Sequence, residues 1–542
     1  MKKVCIIIGA GLAGLSAARF LASERQPCVL LSESPSERSL SVLAEGGINA
    51  ALDLMGEGDS PEKHFEDTMK SAQGLTDPEA VRSMTLNAPA IVKELLKLGV
   101  PFQRENGQMV QRFFGGQKKR RAAFAKSSTG KALVSALVDE VRKYEAKGLV
   151  ERLPHHRMLT LAKEGSCCQG VFVLDTWTNK EILLEGPVLL CFGGPHGMFP
   201  GVTTGSVQNT GDALAELFSL GVELADLEYI QFHPTTLQIE GKRLLISEAA
   251  RGEGARLFCR QEDGKPWYFM EELYPETGNL SPRDVVSKEM ERLRQKGFSF
   301  YLDLSSISKS VWANRLSDMR SEILHYTGKD PAKESIPVSP GIHYFMGGIL
   351  VDREHRTSFQ NLYAAGECAC IYHGANRLGG NSLLGAVYGG QRAARTILKE
   401  LAKEQGIGNK ECQNLRQQTG LQKEKVFEDK EAVLKSLTVC PGTAMALSEA
   451  LLDGMAILRE EKKLLKAKEQ LMDMLEERLS DMERKRVYLG LGMLLSALER
   501  KESRGAHQRI DYPESREAFC KMTVAKMKDG EIEIGFKGSM FP

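Results

Sequence analysis

The 542-residue sequence lacks the features that mark several large classes of protein. Its 72 Lys and Arg residues are balanced by 71 Asp and Glu residues, so the formal net charge is +1 and no broad nucleic-acid-binding surface is predicted. No apolar run reaches the roughly 18 residues that a membrane-spanning helix needs. The chain also lacks internal repeats and low-complexity linkers. These absences indicate an ordinary globular chain that acts on small molecules or proteins.

The eleven cysteines do not form a metal-binding pattern. None belongs to a CxxC pair, and the spacings of Cys167-Cys168 and Cys368-x-Cys370 do not suit zinc or an iron–sulfur cluster. Scattered thiols in odd number favour a reducing compartment over a disulfide scaffold. We therefore expect a cytoplasmic protein without a metal site. The apolar stretch after Lys2-Lys3 is interpreted as a strand and turn rather than a secretion signal.

Glycine is in excess, with 52 residues, and its first cluster has a clear context. The apolar segment 4–8 is typical of a buried parallel strand. Gly9, Gly11 and Gly14 follow it, then a helix, then a second predicted strand at 28–31. In such a βαβ unit the first glycine permits a tight turn, the second lets the backbone approach a pyrophosphate and the third permits close helix–strand packing. The pattern predicts a dinucleotide site at the helix N-terminus.

Two further features concern the same site. The acidic residue that usually ends the second strand is either Glu33 or replaced by Ser32, and the sequence leaves both open. Far downstream, at 361–367, another strand is predicted to end in Gly366-Glu367. Two nucleotide-binding segments so far apart imply one domain interrupted by an insertion. That arrangement favours a flavin over a nicotinamide, because nicotinamide domains usually need only the first segment.

The composition changes between about residues 405 and 504. Glycine becomes scarce, while Leu and Met recur at helical spacing among Lys and Glu. Helical segments are predicted at 434–458, 464–479 and 487–498. We expect an antiparallel helical bundle whose charged faces are solvated.

Several segments together resemble one known family. They are residues 38–47, 231–235, 247–254, 282–286, 343–348, 373–383 and 502–507. The chain resembles the flavoprotein subunit of the succinate dehydrogenase/fumarate reductase family, which also contains L-aspartate oxidase. Residues 56–61 and 263–269 are similar to the respiratory flavoproteins of Gram-positive bacteria.

The resemblance implies an α/β (α+β composite) fold. A Rossmann-like FAD-binding domain of residues 1–228 and 341–405 is expected, interrupted by a capping domain of residues 229–340. A C-terminal helical bundle, residues 406–505, and a C-terminal tail, residues 506–542, are expected to follow. The substrate site is expected between the FAD-binding and capping domains.

The resemblance also implies an FAD-dependent oxidoreductase that interconverts fumarate and succinate. Arg283 is the implied proton donor or acceptor, and Glu248 and Arg251, three residues apart, are the implied relay. A C4-dicarboxylate needs donor and cationic groups at both ends, which His233, Ser247, His343 and Arg377 supply. His233 is also counted among the catalytic residues. An arginine is an unusual acid, since its pKa is ordinarily above about 12, so it needs a relay to supply it.

The residues expected to bind FAD come from five parts of the chain. They are Gly9, Gly11, Gly14, Ser32, Ser39, Ser41, Gly46, Gly47, Asp212, Glu367, Ser382 and Leu383. Asp212 has an alternative interpretation as a helix N-cap. Arg121 matches a family position near the flavin loop, whereas the basic residues before it are interpreted as a solvated patch. The other histidines, at 155, 156, 196, 325 and 355, match no functional position.

One departure from the family pattern is informative. Most respiratory members carry a flavin-linking histidine two residues after the arginine that corresponds to Arg38; this chain has Leu40. A leucine has no nucleophilic nitrogen, so we expect noncovalent FAD. In the family, covalent attachment goes with a more oxidising flavin, so Leu40 favours fumarate reduction over succinate oxidation.

Two alternatives stay open. L-aspartate oxidase also holds FAD noncovalently and would form iminoaspartate for NAD biosynthesis, and a non-catalytic paralogue would bind flavin without turnover. For the leading hypothesis, electrons come from outside the chain. The expected partners are an iron–sulfur subunit and a membrane anchor as separate chains, which would place this cytoplasmic protein peripherally at the inner face of the membrane.

Overall fold

The computed structural model describes residues 3–261, 263–406, 423–424 and 436–538. Parallel and antiparallel sheets alternate with helices along the chain. The α-helices are Leu12–Ser23, Pro61–Ala72, Pro78–Lys97, Thr129–Glu145, Asp212–Ser219, Ala249–Gly252, Phe269–Leu273, Arg283–Arg294, Lys309–Asn314, Ser317–Thr327, Asn381–Gly406, Pro441–Gly454, Glu461–Glu476 and Asp481–Glu499. None of the helices in the described ranges combines the length and the apolar character that crossing a bilayer requires.

The central sheet is parallel and five-stranded. Its strand order is Leu362–Ala364, Val188–Leu190, Cys5–Ile8, Cys28–Ser32 and Val150–Pro154. The middle strand is buried at every position, as expected for a parallel strand covered on both faces. Helix Leu12–Ser23 packs between helices Thr129–Glu145 and Asn381–Gly406. The first strand, Cys5–Ile8, and the last, Leu362–Ala364, thus lie in the same sheet on either side of Val188–Leu190, although a long insertion separates them in sequence.

Smaller sheets surround this layer. One joins Lys423–Glu424, Lys180–Glu185, Cys167–Asp175 and His156–Glu164; a second joins Ala369–Cys370, Gly348–Leu350, Leu224–Ala225, Met522–Lys528 and Glu531–Lys537. A short three-stranded sheet has Ala122–Ala123 in the middle, between Ile48–Asn49 and Gln111–Arg112. Two further short pairs are Arg104–Glu105 with Gln108–Met109, and Leu458–Arg459 with Gln508–Arg509.

Residues 229–340, called the insertion below, contribute most of a six-stranded sheet. Its six strands have the order Lys242–Leu245, Ile230–Ile239, Ile336–Phe345, Phe300–Asp303, Arg256–Arg260 and Pro266–Trp267. Most of its buried apolar side chains form a core of their own, which includes Leu257, Phe269, Leu302 and Trp312. The chain enters and leaves through two paired antiparallel strands, Ile230–Ile239 and Ile336–Phe345. These two strands carry side chains from the insertion into the main body.

Three helices of the C-terminal part lie wholly within the described residues, Pro441–Gly454, Glu461–Glu476 and Asp481–Glu499, near the three predicted segments. Residues 407–422 and 425–435 of the predicted helical domain lie outside the described residues. The last helix begins with a capping box, in which the Ser480 hydroxyl accepts from the Glu483 N–H and the Glu483 carboxylate accepts from the Ser480 N–H. The segment expected as a tail forms instead the hairpin of strands Met522–Lys528 and Glu531–Lys537, which pairs with Leu224–Ala225.

Candidate functional site

A cavity of about 260 Å³ opens where the central parallel strands end and the insertion begins. Residues at or just after the ends of four of the strands line it, namely Gly9, Ser32, Cys191 and Gly366. The carboxyl ends of parallel strands are the usual ligand-binding edge of such sheets. The insertion contributes the opposite wall.

The glycine turn after the first strand has no room for side chains. Gly9 has φ +111°, and a Cβ there would lie 2.3 Å from the Cys191 carbonyl oxygen. A Cβ on Gly14 would lie 1.9 Å from the Gly9 carbonyl oxygen. Gly11 is the N-cap of helix Leu12–Ser23, and the first N–H of that helix donates to Ser41 Oγ at 3.1 Å. The turn thus presents a bare backbone and a helix N-terminus to the cavity, an arrangement that suits a phosphate.

The remaining residues expected to bind the cofactor surround this turn. The following line the cavity: Ser32, Ser39, Ser41, Gly46, Gly47, Asp212, Glu367, Ser382 and Leu383. Gly14 supports the turn from behind. Ser32 and Glu33 both line the cavity: Ser32 donates to the Ser34 carbonyl, and Glu33 Oε2 lies 3.0 Å from Arg157 Nη2. Leu40 also lines the cavity, between Ser39 and Ser41.

Two of these acids have partners that the sequence did not indicate. Asp212 forms a buried ion pair with Arg486 of the last helix, and it is not an N-cap, since Gly211 occupies that position. The alternative interpretation of Asp212 was therefore wrong. Glu367 Oε1 lies 3.0 Å from His196 Nε2 and accepts from the Phe345 N–H at 3.1 Å. His196 was expected to match no functional position, yet it contacts Glu367, a residue predicted to bind the cofactor.

The predicted relay residues form one buried chain of charges. Glu248 Oε2 accepts from Arg283 Nε and Nη2 at 3.2 and 3.0 Å, and Glu248 Oε1 accepts from Arg251 Nη2 at 3.0 Å. Arg251 also donates to the Asn279 carbonyl. The one-turn helix Ala249–Gly252 places Glu248 and Arg251 on the same face. Burial lowers the pKa of Arg251, so the carboxylate between the two guanidinium groups is needed to stabilise their charge.

Arg377 faces the same space as Arg283. Its guanidinium carbon lies 4.4 Å from the centroid of the Tyr344 ring, and Nη2 donates to Gln231 Oε1 at 2.9 Å. Its Nε is buried and has no hydrogen-bond partner among the described residues. Burial, followed by the neighbouring Arg283, lowers the pKa of Arg377 to about 9. Two close cations and an unpaired buried donor suit an anionic ligand.

The two predicted histidines are neutral donors. The His233 and His343 rings are 5.1 Å apart. Burial, then Arg283, holds the pKa of each imidazole well below its ordinary value. His233 Nδ1 accepts from the Thr235 N–H at 3.3 Å, which leaves its proton on Nε2, and His343 Nδ1 lies 2.8 Å from Thr204 Oγ1. Ser247 lines the cavity beside them.

Nearly all the residues predicted from the sequence to form the site thus lie around one cavity. Arg251 does not line the cavity but contacts Glu248, which does. Arg121 lies elsewhere: it is fully buried and paired with Asp59 and Asp67, 3.0 and 2.9 Å away. The contacts of His196, Thr204 and Gln231 were not predicted. Of these three residues, only Gln231 was marked in the sequence, because it belongs to the segment 231–235 that resembles the family.

Comparisons with known proteins agree with this geometry. A model of the family described as "FAD binding domain" matches residues 5–383, and one described as "Fumarate reductase flavoprotein C-term" matches residues 484–539. The succinate dehydrogenase flavoprotein subunit of Bacillus subtilis is 36% identical over 96% of this chain and 93% of its own length. The L-aspartate oxidase of Mesorhizobium japonicum is 39% identical over 70% of this chain and 72% of its own.

Among solved structures, the E. coli quinol fumarate reductase subunit FrdA, in a mutant form, superposes with a TM-score of 0.86 at 28% identity, covering 100% of this chain and 97% of that one. The predicted fold class and the prediction of an FAD-binding domain are confirmed. The chain belongs to the family of FAD-dependent oxidoreductases that comprises the flavoprotein subunits of succinate dehydrogenase and fumarate reductase together with L-aspartate oxidase.

Proposed function

We propose that this protein reduces fumarate to succinate, and interconverts the two, with noncovalently bound FAD. One observation carries the proposal: two guanidinium groups, two neutral histidines and a serine face a single cavity that continues to the glycine turn. The names of the relatives, which include succinate dehydrogenase and fumarate reductase, support the same substrate pair.

The residues around the turn fit FAD. Gly9 and Gly14 leave no room for a Cβ beside the neighbouring backbone, as the tight turn and the close helix packing of a dinucleotide site require, and the helix beginning at Leu12 directs its N-terminus at the cavity. Glu33 and Glu367 are carboxylates placed for ribose and ribityl hydroxyls, and His196 keeps Glu367 in place. Bound FAD supplies the acceptor or donor of the hydride. Leu40 supports noncovalent binding and, by the family's pattern, the reductive direction.

The opposite wall is proposed to bind the substrate. A C4-dicarboxylate carries two negative charges, and Arg377, with its unpaired Nε, offers a planar fork for one carboxylate. His233, His343 and Ser247 would donate to the dianion without adding charge, because both imidazoles stay neutral at neutral pH. Donors fixed in a buried site polarise the conjugated double bond and favour hydride addition.

Arg283 is proposed to deliver the proton. A guanidinium group has five N–H donors, and Glu248 and Gln231 engage three of those on Arg283, which leaves one on Nη1 and one on Nη2. Because Arg283 lines the cavity, these donors can reach a substrate carbon. Proton loss from Arg283 is followed by proton uptake through Glu248 and Arg251, the buried contacts behind it.

The domain boundaries at 229–340 are also proposed, because the insertion supplies most of the cavity wall that is proposed to bind the substrate.

Electron supply is proposed to come from separate chains. Several relatives are named as subunits, and the described residues contain no group of His, Cys, Asp or Glu able to hold a metal ion. We propose an iron–sulfur subunit and a membrane anchor as partners, with this chain peripheral at the cytoplasmic side.

Two assays on purified holoprotein separate the candidate functions. Anaerobically reduced protein should be reoxidised by fumarate, with one succinate formed per FAD. In air, L-aspartate should yield no hydrogen peroxide. Peroxide from L-aspartate without fumarate turnover would establish the oxidase instead, and bound FAD with neither activity would support the non-catalytic paralogue.

A further inference from the structure

We propose that Gln231 is a positioning residue that sets the spacing between the proton-transfer arginine and the carboxylate-binding arginine. The proposal deepens the proposed function and rests on it. Gln231 lies in the strand Ile230–Ile239, which leads into the insertion, and its side chain is fully buried. It touches both arginines from behind the cavity.

The amide oxygen of Gln231 is shared by two cations. Oε1 accepts from Arg283 Nη1 at 3.0 Å and from Arg377 Nη2 at 2.9 Å. A carbonyl oxygen has two lone pairs, so these two bonds use its full capacity. The shared oxygen therefore places one N–H of each guanidinium at a common point, although the two like charges repel each other in a buried site.

The amide nitrogen fixes the orientation of that oxygen. Nε2 donates to Asn376 Oδ1 at 2.7 Å and to the Arg377 carbonyl at 2.8 Å. All four bonding positions of the amide are thus occupied, and a flipped amide would direct its N–H groups at two guanidinium donors. The network assigns the orientation without ambiguity.

Asn376 connects this amide to the start of the helix that carries Arg283. Its Nδ2 donates to Asp284 Oδ1 at 2.7 Å, and Asp284 follows Arg283 in helix Arg283–Arg294. Arg377 follows Asn376 directly in sequence. The backbone segments that hold the two arginines are therefore linked twice, through Gln231 and through the Asn376–Asp284 bond, so the distance between proton donor and carboxylate anchor is built into the protein before substrate binds.

The test compares Gln231→Leu with Gln238→Leu, a control on the exposed end of the same strand. Gln231→Leu keeps the approximate volume and removes the acceptor. Because Gln231→Leu removes an acceptor from both arginines, we expect kcat/KM for fumarate, per bound FAD, to fall about 30-fold or more, at least the effect of losing one charge-assisted hydrogen bond, with a raised KM and a lowered kcat. The solvent deuterium isotope effect on kcat should increase, since proton delivery becomes slower. Gln238→Leu should match the wild type.

A double-mutant cycle with Asn376→Leu separates positioning from general damage. Because Asn376 orients the Gln231 amide, the loss of activity in the double variant should be smaller than the product of the two single losses; losses that multiply would overturn the proposal. Unchanged per-flavin kinetics in Gln231→Leu would also overturn it, even if less holoprotein folds. If the wild type does not turn over fumarate, the proposed function fails. The inference about Gln231 is then tested by malonate binding, measured through the change in flavin absorbance. Equal dissociation constants for the wild type and Gln231→Leu would overturn it.

Discussion

Arg377→Lys tests the proposed carboxylate anchor while conserving its charge. In the structure the guanidinium carbon of Arg377 lies 4.4 Å from the centroid of the Tyr344 ring, Nη2 donates to Gln231, and the buried Nε has no hydrogen-bond partner among the described residues. A lysine ammonium is a point charge without the planar fork, so it cannot keep the contact to Gln231 and present a paired donor to the carboxylate. One lost hydrogen bond between charged groups costs about 1.5–3 kcal/mol, or about 10- to 150-fold in affinity.

We therefore expect the KM for fumarate to rise by about that factor in steady-state assays under anaerobic conditions, with FAD content unchanged. The matched control is Arg395→Lys. Arg395 is exposed and also stacks on a ring, its guanidinium carbon 5.2 Å from the Phe20 centroid, but it lies outside the cavity lining. A KM within about threefold of the wild type for Arg377→Lys would refute the assignment of Arg377 to a substrate carboxylate.

Three further predictions concern the cofactor and the buried charges. Gly14→Ala places a Cβ 1.9 Å from the Gly9 oxygen, so the purified variant should have a much lower ratio of flavin to protein absorbance. The control Gly535→Ala, whose Cβ has nothing within 4 Å, should keep its full flavin content. Equal flavin content in the two variants would contradict the assignment of the glycine turn to FAD binding. Acid precipitation of the wild type should leave the yellow colour in the supernatant, because Leu40 cannot bond to flavin; a yellow pellet would contradict this. Burial lowers the pKa of His64 to about 3, below the unfolded value of about 6.5, so the unfolded state takes up the proton first and stability falls as the pH drops below 6.5. From pH 7 to 5.5 the wild type should lose about 1.2 kcal/mol more than His64→Gln in urea unfolding, and equal losses would show that His64 is not kept neutral.

Local spacing predicts the arrangement of residues that are close in sequence. Gly9, Gly11 and Gly14 lie within one strand–helix turn, so their spacing alone predicts the turn. Glu248 and Arg251 were named from the resemblance, and their separation of three residues then predicts a common face of one helical turn. The resemblance then supplied the distant members, Arg283, His343 and Arg377. Local spacing carries no information on which distant side chains support them.

His196 shows what could not be predicted. It is separated by 171 positions from Glu367, and its isolated place in the sequence has no periodic or charge pattern. The C-terminal hairpin is a second case. Thr523, Ala525 and Met527 are buried and alternate with more exposed residues in the folded strand, but the residue types in Met522–Lys528 do not alternate between apolar and polar, so the sequence carried no clear strand pattern. The partner strand, Leu224–Ala225, is only two residues long and almost 300 positions away, so the pairing itself was hidden.

The late position of Arg486 has a consequence for biosynthesis. A nascent chain that ends before residue 486 lacks the partner of Asp212 at the cofactor cavity, and one that ends before residue 522 lacks the strand that pairs with Leu224–Ala225. The central sheet likewise needs Leu362–Ala364 beside Val188–Leu190. The dinucleotide turn is among the first segments to leave the ribosome, yet its surroundings are completed among the last. We therefore expect flavin loading to follow synthesis of nearly the whole polypeptide.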